Sequence, residues 1–299
     1  MTLRHFKIYV TVCDTMNMTI AGERLFLSQS AVSQAISELE RHYETKLFDR
    51  LSRKLYLTPS GHKLLSYARH IVSMNEEAAC EMKNLKEQGY LRIGASVTVC
   101  TCVLPKYISK CRKLWPRTKT EVYEENTERI EDLLLHNNID LGIVEGCIKS
   151  GDIISLPYLE DELVPVCGAE HPFHNRKEIS PSQLSLENFI IREAGSGTRK
   201  TFEEVMSANQ ISWNAGWICN NVDTIKSAVQ ENLGITVISE RAVQRELQRG
   251  ELIRLYVPGL EFKRTFKICY HKYKYHSEAM DNFIDLVKQY HPMFVPESS

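Results

Sequence analysis

Residues 21–39, AGERLFLSQSAVSQAISEL, constrain the fold of this chain more than any other stretch. Ile20, Ala21 and Leu25 supply the inward face of a short helix capped by Thr19, and the polar break Ser28-Gln29-Ser30 ends it. A second helix follows. In it Val32, Ile36 and Leu39 fall at spacings of four and three on one buried face, while Ser30, Ser33, Gln34, Ser37 and Arg41 fall on the other. The outer face is short, polar and uncharged where it begins. Ser28, Gln29, Ser30, Ser33, Gln34 and Ser37 suit close pairing with base edges, and a helix N-terminus favours a phosphate. Together they predict a helix-turn-helix whose second helix, starting near Ser30, enters the major groove of DNA.

Residues 47–58, LFDRLSRKLYLT, read as two brief extended segments around a basic tip. This is a wing from which Arg50, Arg53 and Lys54 reach phosphates or a narrow minor groove. The combined pattern of Leu3, Phe6, Ala21, Leu25, Ser28-Gln29-Ser30-Ala31-Val32-Ser33, Ile36, Leu39-Glu40, Leu47-Phe48, Arg50, Leu57-Thr58 and Gly61 resembles the winged helix-turn-helix of LysR-type transcriptional regulators. Two positions depart from it. Gly22 stands where the family usually has Ala, at a cost of about 1 kcal/mol inside a helix. Glu44 stands where it has Gly, which calls for a different helix end. The resemblance implies a regulator that binds interrupted palindromic promoter sites on double-stranded DNA, as a dimer or a tetramer. It also implies RNA polymerase as a partner and a small effector rather than a cofactor or metal.

A chain of 299 residues, 43% hydrophobic and 25% charged, is long enough to bury substantial cores in two or three domains. It contains no run of about 18 apolar residues and no apolar signal core, so a cytoplasmic protein without a membrane partner is expected. The net charge is −1, yet residues 1–62 hold eight Lys and Arg against six acids, with the cations clustered at 50–54. The nine cysteines show neither zinc-ribbon nor CxxC spacing and read as reduced thiols.

Leu3, Phe6, Val10 and Cys13 predict a first helix over 2–14, and Thr58-Pro59 starts another. The stripe Leu64, Ala68, Ile71, Asn75, Ala78, Met82 and Leu85 continues that helix for about 30 residues, roughly 45 Å. So long and narrow a stripe calls for another helix like itself or for docking on the next domain, and the pattern together with the resemblance favours dimerisation through this helix. After Gln88-Gly89 the pattern changes to strands (91–95, 120–125, 140–145) alternating with helices (101–114, 127–135), which implies βαβ units. A second α/β set runs from 163–167 through 241–248, and a strand at 267–270 and a helix at 277–290 close the chain. The expected fold is therefore multidomain. It comprises an all-α winged helix-turn-helix domain (1–58), a long linker helix (59–88) and an α/β effector domain of two Rossmann-like subdomains. By the resemblance this last domain is similar to periplasmic binding proteins, with lobe 1 at 89–161 and 264–299 and lobe 2 at 162–263, the chain crossing near Asp161 and Lys263.

Ligands of open α/β sheets bind beyond the carboxyl ends of the strands, where helices begin. Four loops qualify. The first carries Ser96, Thr98, Cys100 and Thr101, the second Asn126, and the third Gly146 and Cys147. In the fourth, 193–199, Gly195 and Gly197 let backbone amides turn inward, and Ser196 and Thr198 add hydroxyls at a helix start, forming a nest for an anion. Asn221, beside Asn220, precedes another helix in the second lobe. The expected effector is a small oxyanion or small carboxylate. By resemblance, the 193–199 stretch looks most like family branches that control sulfur assimilation or carbon fixation.

An enzyme is not expected, because no G-x-S-x-G, Walker or H-E-x-x-H sequence occurs, and His271 and His276 sit in a Tyr-rich basic stretch without a paired nucleophile. The rival reading is a thiol- or metal-responsive regulator using Cys100, Cys102 and Cys147, should these surround one cleft.

Overall fold

The computed structural model of the chain describes residues 1–51, 54–83 and 89–290, which form two compact units. In the first, α1 (Leu3–Thr15), α2 (Met18–Leu25) and α3 (Gln29–His42) enclose Tyr9, Val12, Ala21, Val32 and Leu39, all completely buried. The helix starts differ from those expected. Asn17 rather than Thr19 caps α2, its Oδ1 accepting from the Thr19 and Ile20 amides at 2.8 and 3.2 Å, because a short amide side chain ahead of the helix satisfies two orphan donors at once. Thr19 and Ile20 are consequently exposed. Ser28 caps α3, its Oγ accepting from Ala31 N at 3.2 Å, so that helix begins at Gln29.

Gly22 is accounted for by the turn that follows it. Leu27 N donates to Gly22 O at 2.8 Å, and a Cβ on Gly22 would lie 2.7 Å from the Leu27 carbonyl oxygen. Glu44 adopts the left-handed conformation, φ 49°, that its glycine counterpart would take without strain.

The wing is an antiparallel pair, β1 (Phe48–Leu51) and β2 (Lys54–Leu57), with Phe48 opposite Leu57. Glu40, at the end of α3, fixes its base: its Oε1 accepts from Leu47 N at 2.9 Å and Phe48 N at 3.4 Å, and its Oε2 from Lys46 Nζ at 2.7 Å. Next, α4 (Pro59–Lys83) opens with Thr58 Oγ1 accepting from Gly61 N at 3.0 Å. Leu65 and Ala68 of α4 are buried in the core with α1, whereas Ile71 and Met74 further along are 40% and 46% exposed. Leu85, the last position of the expected stripe, lies outside the described residues.

The second unit begins with β3 (Tyr90–Ser96), α5 (Val97–Cys102), α6 (Leu104–Leu114), β4 (Lys119–Glu125), α7 (Thr127–Leu135) and β5 (Leu141–Val144). The order β4-β3-β5 is parallel throughout. Residues 97–101, expected as a loop, form α5: burial of Thr98, Val99 and Cys102 overrides the poor helix propensity of Val97-Thr98-Val99. There follow β6 (Ile153–Gly168), α8 (Pro181–Leu184), β7 (Asn188–Arg192), α9 (Gly197–Ala208), β8 (Asn214–Cys219), α10 (Val222–Gln230), β9 (Thr236–Ser239), α11 (Glu240–Arg249), β10 (Leu252–Arg254), β11 (Phe262–His271) and α12 (Glu278–Gln289).

The two longest strands, β6 and β11, run antiparallel from Ile153↔His271 to Leu163↔Phe262, and β11 also borders β5. On the far part of β6 sit β9 and β10, both antiparallel, while β7 and β8 form a separate parallel pair. One core gathers Ile93, Tyr107, Phe266 and Phe283, and another Phe189, Phe202, Ile235 and Phe262. Phe262 and Phe266 of β11 thus belong to different cores, and Arg264 stands between them. No helix among the described residues is long and apolar enough to cross a membrane.

Candidate functional site

On the first unit, Gln29, Ser30, Gln34 and Ser37 of α3 are exposed, Ser33 is half-buried and Ser28 is exposed at the cap, its Oγ 2.9 Å from Ser30 Oγ. Gln34 Nε2 donates to Glu38 Oε1 at 2.9 Å. Hydrogen bonds from His5 first and Gln34 second hold the Glu38 carboxyl below its ordinary range, so Gln34 is already oriented along the helix face. Lys54 is exposed on β2. Arg53 and the side chain of Arg50 lie outside the described residues.

In the second unit the four candidate loops meet. Ser96 Oγ, at the start of α5, donates to Glu145 Oε2 at the end of β5. Thr98 Oγ1 lies 3.4 Å from Thr198 Oγ1, which brings the starts of α5 and α9 face to face. Asn126 Nδ2 donates to Ala194 O at 3.4 Å, and Glu128 N to Gly195 O at 3.3 Å. Gly195 has φ 85°, and Gly197 passes so close to the third loop that a Cβ there would lie 2.6 Å from Gly146 N.

Behind these loops Arg264, whose side chain is 3% exposed, donates through Nε to Asp161 Oδ2 at 2.7 Å and through Nη1 to Thr198 Oγ1 at 2.9 Å. Asp161 also accepts from Ser239 Oγ at 2.8 Å and pairs with Arg241 Nε at 3.4 Å. Three buried polar atoms in this region have no partner: Ser196 Oγ, Thr127 Oγ1 and Arg264 Nη2. Buried donors are rarely left unmade, and each costs about 1–3 kcal/mol, so an acceptor belongs among them. The start of α9, capped at Ser196, adds the positive end of a helix dipole to these donors.

Glu145, Asp161 and Arg264 were missed in the sequence, although a signal exists. Arg264 alternates with Phe262, Phe266 and Ile268, and Asp161 with Leu159 and Leu163, so each is a charge at an inward position of a period-two strand. The register pairs them directly.

Other sequence candidates lie in different surroundings. Thr101 is exposed and its Oγ1 donates to Val97 O at 2.8 Å within its own helix. Asn221 caps α10, its Oδ1 accepting from Asp223 N and Thr224 N at 2.8 and 3.1 Å. Cys100 lines a groove of about 640 Å³ with Leu104, Ile108 and Val122, away from the four-loop junction, and Cys147 is exposed. The three thiols therefore do not surround one cleft. Burial first, then Glu124, pushes the Cys100 thiol well up, and burial raises Cys102 to about 12. Such thiols are poor nucleophiles and poor metal ligands, and no cluster of metal-binding side chains occurs among the described residues.

A helix-turn-helix with a wing, followed by an α/β unit whose loops converge on buried unpaired donors, defines a ligand-responsive DNA-binding protein. Comparison with known families agrees: residues 3–62 match the bacterial regulatory helix-turn-helix protein, lysR family, and residues 85–292 the LysR substrate binding domain. The chain belongs to the LysR family of transcriptional regulators, and it is a regulator rather than an enzyme. It is 32% identical over 284 residues to the HTH-type transcriptional regulator YeiE of Escherichia coli K12, covering 95% of this chain and 96% of that one. The HTH-type transcriptional regulator CysL of Bacillus subtilis is 29% identical over 284 residues, 94% of this chain and 95% of that one. Among solved structures, the regulatory domain of Synechocystis CcmR, in complex with 2-PG, superposes with a TM-score of 0.63 at 26% identity, covering 68% of this chain and 97% of that one.

Proposed function

We propose that this regulator responds to a small anion, an oxyanion or a small carboxylate, bound where the four loops meet. The observation that carries the reading is the trio of buried, unpartnered atoms Ser196 Oγ, Thr127 Oγ1 and Arg264 Nη2 beside the start of α9. Because Ser196 and Thr198 are buried, entry requires the two lobes, 89–161 with 264–299 and 162–263, to part and close again. The anion then shifts the protein between arrangements by the difference in its affinity for them.

On the DNA side, Gln29, Ser33, Gln34 and Ser37 read base edges, Ser28 and Ser30 sit at the phosphate end of α3, and Arg50, Arg53 and Lys54 of the wing anchor the backbone or minor groove. Two copies pair through the linker helix, where Ile71 and Met74 offer apolar surface, and so match a two-fold operator. The dimer, or a tetramer built from it, works with RNA polymerase in the cytoplasm. The likeness of residues 193–199 to the sulfur-assimilation branch, together with the CysL relative, makes sulfur oxyanions and O-acetylserine the first compounds to try. The CcmR complex adds 2-PG to that panel.

A thermal melt of wild type and Ser196→Ala against sulfate, sulfite, thiosulfate, phosphate, dicarboxylates, O-acetylserine and 2-PG tests the reading. A compound at 100 times its Kd should stabilise wild type by about 2.7 kcal/mol and the variant by much less. Equal stabilisation of both proteins would move the site elsewhere.

A further inference from the structure

The four-loop junction contains an unexpected group for an anion site: the carboxylate of Glu145, 1% exposed, in the midst of the donors. The buried acid beside it, Asp161, is fully engaged by Arg264, Arg241 and Ser239. Glu145 is engaged less fully: one of its oxygens accepts from Ser96 Oγ, while Oε1 forms an ion pair with Arg264 Nη1 at 3.6 Å, beyond hydrogen-bond distance. Glu145 also adjoins the start of α9, since a Cβ on Gly197 would come within 3.1 Å of its Cγ. An oxygen that reaches Ser196 Oγ and Arg264 Nη2 therefore arrives alongside a carboxylate.

We propose that Glu145 is the specificity-determining residue of this site, admitting anions that present a hydrogen-bond donor beside their charge and rejecting those that present only lone pairs. The proposal rests on the four-loop junction being the effector site. Facing oxygens without a proton between them repel, whereas a hydroxyl between them makes a short, charge-assisted bond. Phosphate near pH 7 always retains at least one proton and donates it to Glu145; sulfate has none. A hydroxycarboxylate does with its alcohol what phosphate does with its acidic proton. The ligand class is thus a protonated oxyanion or a hydroxy acid, and the same donors without Glu145 would favour sulfate equally.

Titration calorimetry on the full chain near pH 7, at matched ionic strength, tests this with two pairs of probes: phosphate against sulfate, and glycolate against acetate. The donor-bearing member of each pair should bind at least about tenfold more tightly to wild type. In Glu145→Gln the amide turns its NH2 toward a bare oxygen, and the preference should fall to about threefold or less. Equal affinity within both pairs in wild type, or an unchanged preference in Glu145→Gln, overturns the role of Glu145 while leaving the site intact. The wild-type ratios decide the matter even if the variant does not fold. Failure of all four probes to bind, or binding unaltered by Ser196→Ala, overturns the anion site itself and this proposal with it.

Discussion

Glu40 joins two structures that are separate in the sequence. Its carboxylate ends α3, yet it accepts from the amides that begin β1 and from Lys46. Burial pushes its pKa up, but Lys46 and the Leu47 and Phe48 amides outweigh burial and hold the carboxyl below its ordinary range. A carboxyl whose pKa is depressed by folding stabilises the fold at neutral pH and loses that contribution as pH falls through the folded value. Glu40→Ala should therefore destabilise the first unit by about 1–3 kcal/mol at neutral pH, leaving buried amides unpaired. The deficit should shrink below about pH 4. Amide exchange at Leu47 and Phe48, compared at the two pH values, reads both effects; a deficit independent of pH would show that packing, not the carboxylate, is what matters there.

In the proposed reading helix α3 and the wing divide the work on DNA, and variants should separate them. Ser33→Ala or Gln34→Ala should cost about 1–3 kcal/mol and alter preference at particular base pairs. Lys54→Ala or Arg53→Ala should weaken binding to all sequences and flatten the salt dependence by about one unit of slope. Fluorescence anisotropy across a salt series distinguishes the two, and an unchanged slope in both wing variants would remove the wing from the interface. These elements were legible in the sequence because they are local: the spacing of Val32, Ile36 and Leu39 and the basic tip at 50–54 need no distant partner to be read. The caps were less so. Asn17 and Thr19 are both good capping residues, and only packing that turns Ile20 outward chooses between them. The centres of β6 and β11 escaped notice for a related reason. Asp161 and Arg264 break the apolar alternation of their strands, and each is tolerable at an inward position only because the other stands opposite, 103 residues away.

At the scale of the whole molecule the proposed effector site has the same character. The loops announced themselves by glycines and hydroxyls, but Glu145, Asp161 and Arg264 join the proposed site only because segments distant in the sequence meet there. As proposed, Arg264 links stability to ligand response. Arg264→Met should destabilise the second unit by about 3–5 kcal/mol, since it takes the shared cation from the buried Asp161 and Glu145 and leaves Asp161 only Arg241 and Ser239, and should abolish the thermal response to the effector. Adding Asp161→Leu should recover much of the stability and none of the response. Melts of the three proteins with and without effector check this, and a double variant that still responds would take Arg264 out of the site.

The pairing of β6 with β11 also sets the order in which the protein comes into being. The core of the first unit draws on Phe6 to Ala68, so it can close once α4 has been made. The sheet of the second unit is completed later: β4-β3-β5 and the pairs of β6 with β9 and β10 can form first, but only β11 joins β6 to β5, and nearly a hundred intervening residues must be synthesised before Phe262 can meet Leu163. On the ribosome, the helix-turn-helix unit is finished long before the LysR substrate binding domain that follows it.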